Sequence, residues 1–233
     1  MKKLITILTL IPIFLSCKGQ QTYTQKLEFG LKDKVKEVTT YFCKVEQEII
    51  PSRTENMVGK STMTFDKNGN ILERKRKWDF GALGKSEYLT KFSGVGKDIT
   101  FKETARINDD SPVVISYEYE WSDDFNYAIT CLEDSGYVSL ITLDKNFLLI
   151  KNEYQKRNTI QAKEEIETIF ENNKIKEITT KSISYLGENP KTNLLLQVVK
   201  EYDSKGNPTV IYAYSNTDKQ KLEQVIYKEY TYY

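Results

Sequence analysis

The chain has 233 residues, with 34 Lys and Arg against 33 Asp and Glu and a formal net charge of +1. So even a balance gives no electrostatic case for nucleic acid, which requires a basic stripe. There is no histidine, which removes Ser-His-Asp and Cys-His nucleophile activation and the commonest zinc ligand.

The first element is a leader. Met1-Lys2-Lys3 is positive, Leu4 to Leu15 is a nearly unbroken apolar run containing Pro12, and Ser16 is a small residue before Cys17. The run is shorter than the ~20 residues of a spanning helix and suits a cleaved secretory signal over residues 1–16. Phe14-Leu15-Ser16-Cys17 resembles the lipobox of bacterial lipoproteins, with Phe14 and Leu15 departing from the usual pattern as in lipoproteins of Bacteroidota. The resemblance implies that Cys17 is acylated and becomes the mature N-terminus. It also implies several acyl chains, since one alone binds a membrane only marginally. No Asp follows the cysteine, and no acidic stretch of the kind read for surface export. That implies the outer membrane, lipid-anchored and facing the periplasm.

Residues 17–27 are polar and read as the acylated cysteine and its tether, leaving 28–233 as a single β domain. Sixteen Tyr and 10 Phe against 5 Pro favour strands over disorder there. Period-two alternation dominates: Val113, Ile115, Tyr117, Tyr119 and Trp121 share one face, and Val210-Ile211-Tyr212-Ala213-Tyr214 alternates likewise. About a dozen strands are expected among the stretches 35–46, 58–66, 70–78, 86–93, 97–107, 112–121, 126–132, 136–143, 147–155, 159–170, 175–186, 194–202, 209–215 and 222–232. Ile166, Ile169 and Phe170 also fit a helical face, but a turn and another strand follow directly, which favours strand.

Between strands a motif recurs: aromatic, Asp, two polar residues, Gly, Asn. It is Phe65-Asp66-Lys67-Asn68-Gly69-Asn70 and Tyr202-Asp203-Ser204-Lys205-Gly206-Asn207, with degenerate copies near Phe92, Trp121, Leu143 and Phe170. Asp66 and Asp203 are placed to accept from the backbone two residues on, and Gly69 and Gly206 to take the left-handed position that closes a hairpin. The two good copies resemble the YD repeats of RHS-type proteins, and the whole resembles uncharacterised Bacteroidota lipoproteins built from such hairpins. The resemblance implies fold and location and nothing about activity. The expected fold is all-β, a large antiparallel meander of repeated hairpins, curled or layered as a sandwich or rolled sheet. Apolar residues on both faces at Ile71-Leu72, Phe147 to Ile150 and Leu194 to Leu196 favour a layered or rolled arrangement over a flat single sheet.

Candidate sites are few. Asp66-x-Asn68-x-Asn70 starts like a calcium loop but lacks its glycine and glutamate, so no metal or cofactor is expected. Acidic pairs such as Asp109-Asp110 lie on opposite strand faces and cannot flank a substrate together. Arg74-Lys75-Arg76-Lys77 reads as a charged, exposed edge strand. Cys43 and Cys131 could form a disulfide in an oxidising compartment, but two buried free cysteines in separate strands are the favoured reading. Tyr117, Tyr119, Trp121, Tyr212 and Tyr214 are candidates for an aromatic binding surface, set against ordinary cross-strand packing. The expectation is a non-enzymatic envelope module, held to the membrane by its N-terminal lipid, that binds a protein or glycan. The alternatives are a periplasmic carrier of lipid or another apolar ligand, and an immunity lipoprotein.

Overall fold

A computed structural model describes residues 22–233; the leader and Cys17 lie outside the described residues. A short helix, α1 (Gln25–Glu28), precedes fourteen strands. They are β1 (Val35–Lys44), β2 (Met57–Phe65), β3 (Ile71–Asp79), β4 (Lys85–Val95), β5 (Asp98–Ile107), β6 (Val113–Trp121) and β7 (Asn126–Cys131). The second half continues with β8 (Tyr137–Leu143), β9 (Leu149–Lys156), β10 (Thr159–Glu171), β11 (Lys174–Ser184), β12 (Lys191–Tyr202), β13 (Pro208–Tyr214) and β14 (Leu222–Tyr232). Each stretch that alternates in sequence is a strand, including 163–170 inside β10.

Every strand pairs antiparallel with its sequence neighbours, and β14 pairs with β1 from Val35↔Tyr232 to Lys44↔Gln224. The meander is therefore neither a layered sandwich nor an open roll. It closes into a barrel. Bulges in β1, β10 and β12 add the local bend and twist that closure requires. The doubled apolar stretches have other causes than a second layer. Leu72 is displaced at a bulge opposite Phe65, Phe147 and Leu148 belong to a turn, and Leu196 is on the outer face opposite Tyr214 yet buried there.

Closure also corrects the reading of Arg74-Lys75-Arg76-Lys77. β3 is flanked by β2 and β4 on both sides, so it is no edge. Arg74 stands opposite Met63 and Arg76 opposite Ser61, both buried, and directly opposed residues share a face. The two arginines point into the barrel, and Lys75 and Lys77 point out.

The outer wall carries charge across much of its surface, including the pairs Lys77–Glu87, Lys163–Glu165 and Lys75–Glu73. A wall in contact with hydrocarbon tolerates such groups poorly, each basic one at the midplane costing about 2–4 kcal/mol. One outer patch is covered: the loop after β1 folds back so that Tyr227 Oη donates to Pro51 O at 2.7 Å and Cys43 Sγ to Arg53 O at 3.4 Å.

Candidate functional site

The turns after β2, β4, β6, β8, β10 and β12 all lie at one end of the barrel, because each starts a returning strand of the same meander. Each full motif copy builds its turn in the same way. Asp66 Oδ1 accepts from the backbone of Asn68, Gly69 and Asn70 at 2.7–2.9 Å, and Asn70 Nδ2 donates to Asp66 Oδ2 at 2.8 Å. Asp203 accepts likewise from Lys205 and Asn207. Gly69 at φ 96° and Gly206 at φ 84° occupy the left-handed region, where a Cβ is strained. In the degenerate copy at Asp144 that position is Phe147, at φ 64°, and its buried ring packs against Tyr23.

The motif's closing asparagines reach beyond their own turns. Asn70 Oδ1 accepts from Gly96 N in the next turn at 3.2 Å. Asn207, 0% exposed, accepts from Lys32 N at 2.8 Å and donates to Lys32 O and Tyr232 Oη. It thereby ties the N-terminal segment to the ring of turns.

That segment is a cap, not a tether. Residues 23–27 look like linker from their polarity, yet Tyr23 and Gln25 are buried. Gln25 Oε1 accepts from Ile71 N at 3.2 Å and Lys26 N donates to Gly69 O at 3.0 Å, so one side chain and one main-chain amide of the segment satisfy turn backbones. Among the described residues, packing against the barrel begins at Tyr23. The Tyr23 ring lies 4.6 Å from that of Trp121 and 5.7 Å from that of Phe147. Lys32 Nζ donates to Asn173 O on the far side. Contacts with the turns after β2, β8, β10 and β12 mean that the segment crosses this end of the barrel.

Glu28, on α1, points inward. Its Oε1 accepts from the hydroxyls of Tyr23 and Tyr127, the latter at 2.8 Å. Burial raises its pKa to about 7 against the pull of both hydrogen bonds. From there an aromatic column follows the inner face. Tyr127 stacks on Tyr119 at 4.7 Å, and Phe101 stacks on Tyr117 at 4.6 Å.

Toward the opposite end the column reaches a pocket of about 390 Å³ lined by Ile115, Tyr117, Ile129, Cys131, Tyr137 and Tyr154 among others. Most of these residues face inward: Tyr117 pairs with Cys131, and Ser139 stands between Ile129 and Tyr154. Glu133 and Asp134 of the turn after β7 stand at its rim.

The interior also holds charge. The inward row across β14, β1, β2 and β3 reads Lys228, Thr40, Ser61, Arg76, and the next row toward the cap reads Tyr230, Val38, Met63, Arg74. Arg76 Nη2 pairs with Glu103 Oε2 at 2.5 Å, and Thr90 Oγ1 donates to the same oxygen at 2.9 Å. Arg76 also lies 4.8 Å from the Tyr88 ring centre. Among the described residues neither Arg74 nor Lys228 has an ion-pair partner, and the buried Nε atoms of both arginines have no acceptor. Burial lowers Arg74 to about 10 and Lys228 to about 8. Lys228, Arg74 and Tyr119 are enclosed by protein yet keep accessible surface. The space around them is not filled by side chains.

The five aromatic candidates are not brought together. Tyr117, Tyr119 and Trp121 line the interior, whereas Tyr212 and Tyr214 stand opposite Val198 and Leu196 on the outer wall. Cys43 and Cys131 are free; Cys43 faces outward under the loop after β1 and Cys131 faces the pocket, on strands that are not neighbours. On β10 the neighbouring acids Glu164 and Glu165 face opposite ways, with Glu164 inward, where Ser182 Oγ donates to it at 3.3 Å, and Glu165 outward with Lys163. No group of metal-ligating side chains stands among the described residues.

Sequence reading passed over Glu103, Lys228 and Glu28, and it placed Arg74 and Arg76 on an exposed edge rather than in the interior. The signal was present for some of them: Arg74 and Arg76 alternate in step with Trp78, and Lys228 sits between Ile226 and Tyr230 on an otherwise apolar face. No known family model matches the chain, and no curated protein matches it.

Proposed function

We propose that the protein is a membrane-anchored lipoprotein of the bacterial envelope whose barrel holds a small, largely apolar ligand, in the manner of a carrier or receptor. The observation that supports this best is the inward pocket of about 390 Å³ walled by Ile115, Tyr117, Ile129, Cys131, Tyr137 and Tyr154. Binding sites for small molecules are typically concave, apolar and aromatic, and contain a few polar groups. A charged outer wall around an aromatic interior is the arrangement that shields such a ligand from water. The geometry favours this reading over recognition of a protein or glycan by an outer aromatic surface, because Tyr117, Tyr119 and Trp121 face inward.

Acylation at Cys17 is part of the same proposal. Thr22, the first described residue, adjoins the cap, and the few residues between it and Cys17 span at most about 18 Å. The tether would therefore hold the capped end toward the leaflet, on the periplasmic side of the outer membrane, and turn the pocket away. The two Asp-Gly-Asn turns, after β2 and β12, support kinship with YD-repeat hairpins.

The test is organic extraction and mass spectrometry of the full chain purified from its own envelope, beside Ile129→Trp, which fills the pocket. A small apolar or amphipathic compound recovered from the native protein and lost from the variant is the expected result. Identical extracts from the two, with both folded by circular dichroism, would overturn the reading.

A further inference from the structure

The geometry points to a recognition site for an acidic head-group inside the barrel, formed by Arg74, Arg76 and Lys228 over a floor of Thr40 and Ser61, so that the ligand is an anionic amphiphile. This rests on the carrier reading and goes further by naming the ligand's chemistry.

The floor follows from register. Thr40 and Ser61 stand directly opposite each other on β1 and β2, and both are buried. As small residues they leave room above themselves that Lys228 on one side and Arg76 on the other can reach over. One row nearer the cap, Arg74 projects into the same space from β3. Two hydroxyls and three cations thus converge from four adjacent strands.

The charge there is unbalanced. Glu103 faces Arg76 and is the acid of this cluster. Glu28 lies at the cap, held by Tyr23 and Tyr127, and Glu164 lies on β10 with Ser182. Two positive charges therefore lack a counter-ion among the described residues. Unpaired buried charge is strongly unfavourable, and proteins normally neutralise or pair it. A carboxylate or phosphate supplied by a ligand would satisfy Lys228, Arg74 and the two unpartnered arginine Nε atoms, and Arg is well suited to such groups.

The apolar part has a path. Glu103, which holds Arg76, stands opposite Ile115 on β6, and Ile115 is a wall of the pocket. The head-group would sit over β1 and β2, with β3, β4 and β5 between that floor and Ile115 on β6. Arg76 bridges part of this distance by reaching Glu103, and the apolar chain of the ligand would run the rest of the way along the inner wall to the aromatic pocket. The other neighbouring row, Ile226, Phe42, Gly59 and Trp78, is apolar as well. A Cβ at Gly59 would fall 2.2 Å from Trp78 Cε3, so the missing side chain makes space for that ring.

The test uses the full chain in a nonionic sugar detergent and a dansylated fatty acid as fluorescent probe, displaced in turn by oleate, lysophosphatidate and oleyl alcohol. The native protein is expected to bind either acid at least about tenfold more tightly than the alcohol, as one to two charge-assisted hydrogen bonds imply. Whichever acid binds more tightly distinguishes carboxylate from phosphate. Arg74→Met and Lys228→Met should each remove most of that preference and leave alcohol binding unchanged, and Arg74→Lys should restore part of it. Both methionine variants keep the apolar stem without the charge, and cooperative thermal melts with midpoints no lower than the native one establish that they fold. If acid and alcohol bind equally in the native protein, the head-group site is refuted while the pocket stands. If no amphiphile displaces the probe, and Ile129→Trp binds the probe as the native chain does, both readings fall.

Discussion

Glu28→Gln isolates the ionisation that the cap has to accommodate. In the folded chain Glu28 titrates at about 7 rather than at its ordinary 4.5, because burial outweighs the two tyrosine hydroxyls that favour its charged form. Between these values the folded state binds the proton more tightly than the unfolded state does, so stability falls as pH rises from about 4.5 to about 7 and stays lower above that. At 1.36 kcal/mol per unit the loss is roughly 3 kcal/mol. That is an upper value, since Glu28 keeps some accessible surface. Glutamine retains the shape and an Oε1 acceptor for Tyr23 and Tyr127 but cannot ionise. Urea unfolding of both proteins at half-unit steps from pH 4.5 to 8.5 yields the difference directly, because every other titrating group is common to the two. The variant should be less stable than, or equal to, the native protein near pH 4.5 and should overtake it by roughly 2–3 kcal/mol at pH 8. Tyr119 and Arg74, the other polar groups nearest this cluster, hold their charge states throughout this range. A stability difference that does not change with pH would refute the account of Glu28 as a buried acid under the cap.

Asn207→Ala removes the link between cap and turn ring. Lys32 N, Lys32 O and Tyr232 Oη each lose a partner, and the loss should be about 2–4 kcal/mol by denaturant unfolding, with amides of residues 23–32 exchanging faster than those of the strands. Lys228→Met should stabilise the ligand-free barrel at pH 7, because burial holds Lys228 near 8 rather than 10.5 and the charged form is the unfavourable one. The sign is opposite to that of Glu28. The unfolded state binds the proton more tightly between about 8 and 10.5, so the native protein gains stability as pH rises through that range, and the variant's advantage, up to roughly 3 kcal/mol at pH 7, shrinks to nothing. An advantage that persists at pH 10.5 would show that the lysine is not held in a poorly solvated site.

A ligand-free barrel that is less stable for carrying Lys228 and Arg74 is intelligible if those groups are kept for what they bind. Such positions are also the ones that pattern reading handles worst. The strands were legible because alternation is a local property: Val113 to Trp121 states its own period, and Asp66-x-x-Gly69-Asn70 states its own turn. Closure was not local, since it depends on Tyr232 meeting Val35 across nearly the whole chain, and no residue of β14 announces its partner. Once the sheet closes, inside and outside exchange meanings. In an open sheet a face with Arg74, Arg76 and Lys228 is read as the solvated one, whereas in a barrel the same alternation delivers the cations to the lumen and leaves Lys75 and Lys77 outside. The cap was hidden for a related reason. Tyr23 to Glu28 is polar in part because its side chains serve buried partners distant in sequence, Ile71 N through Gln25 and Tyr127 Oη through Glu28. A segment whose polarity serves buried partners reads like one whose polarity serves water. Only the apolar surface of Tyr23 and Leu27 distinguishes it from a tether, and that signal acquires meaning only when Trp121 and Phe147 are brought to the same end.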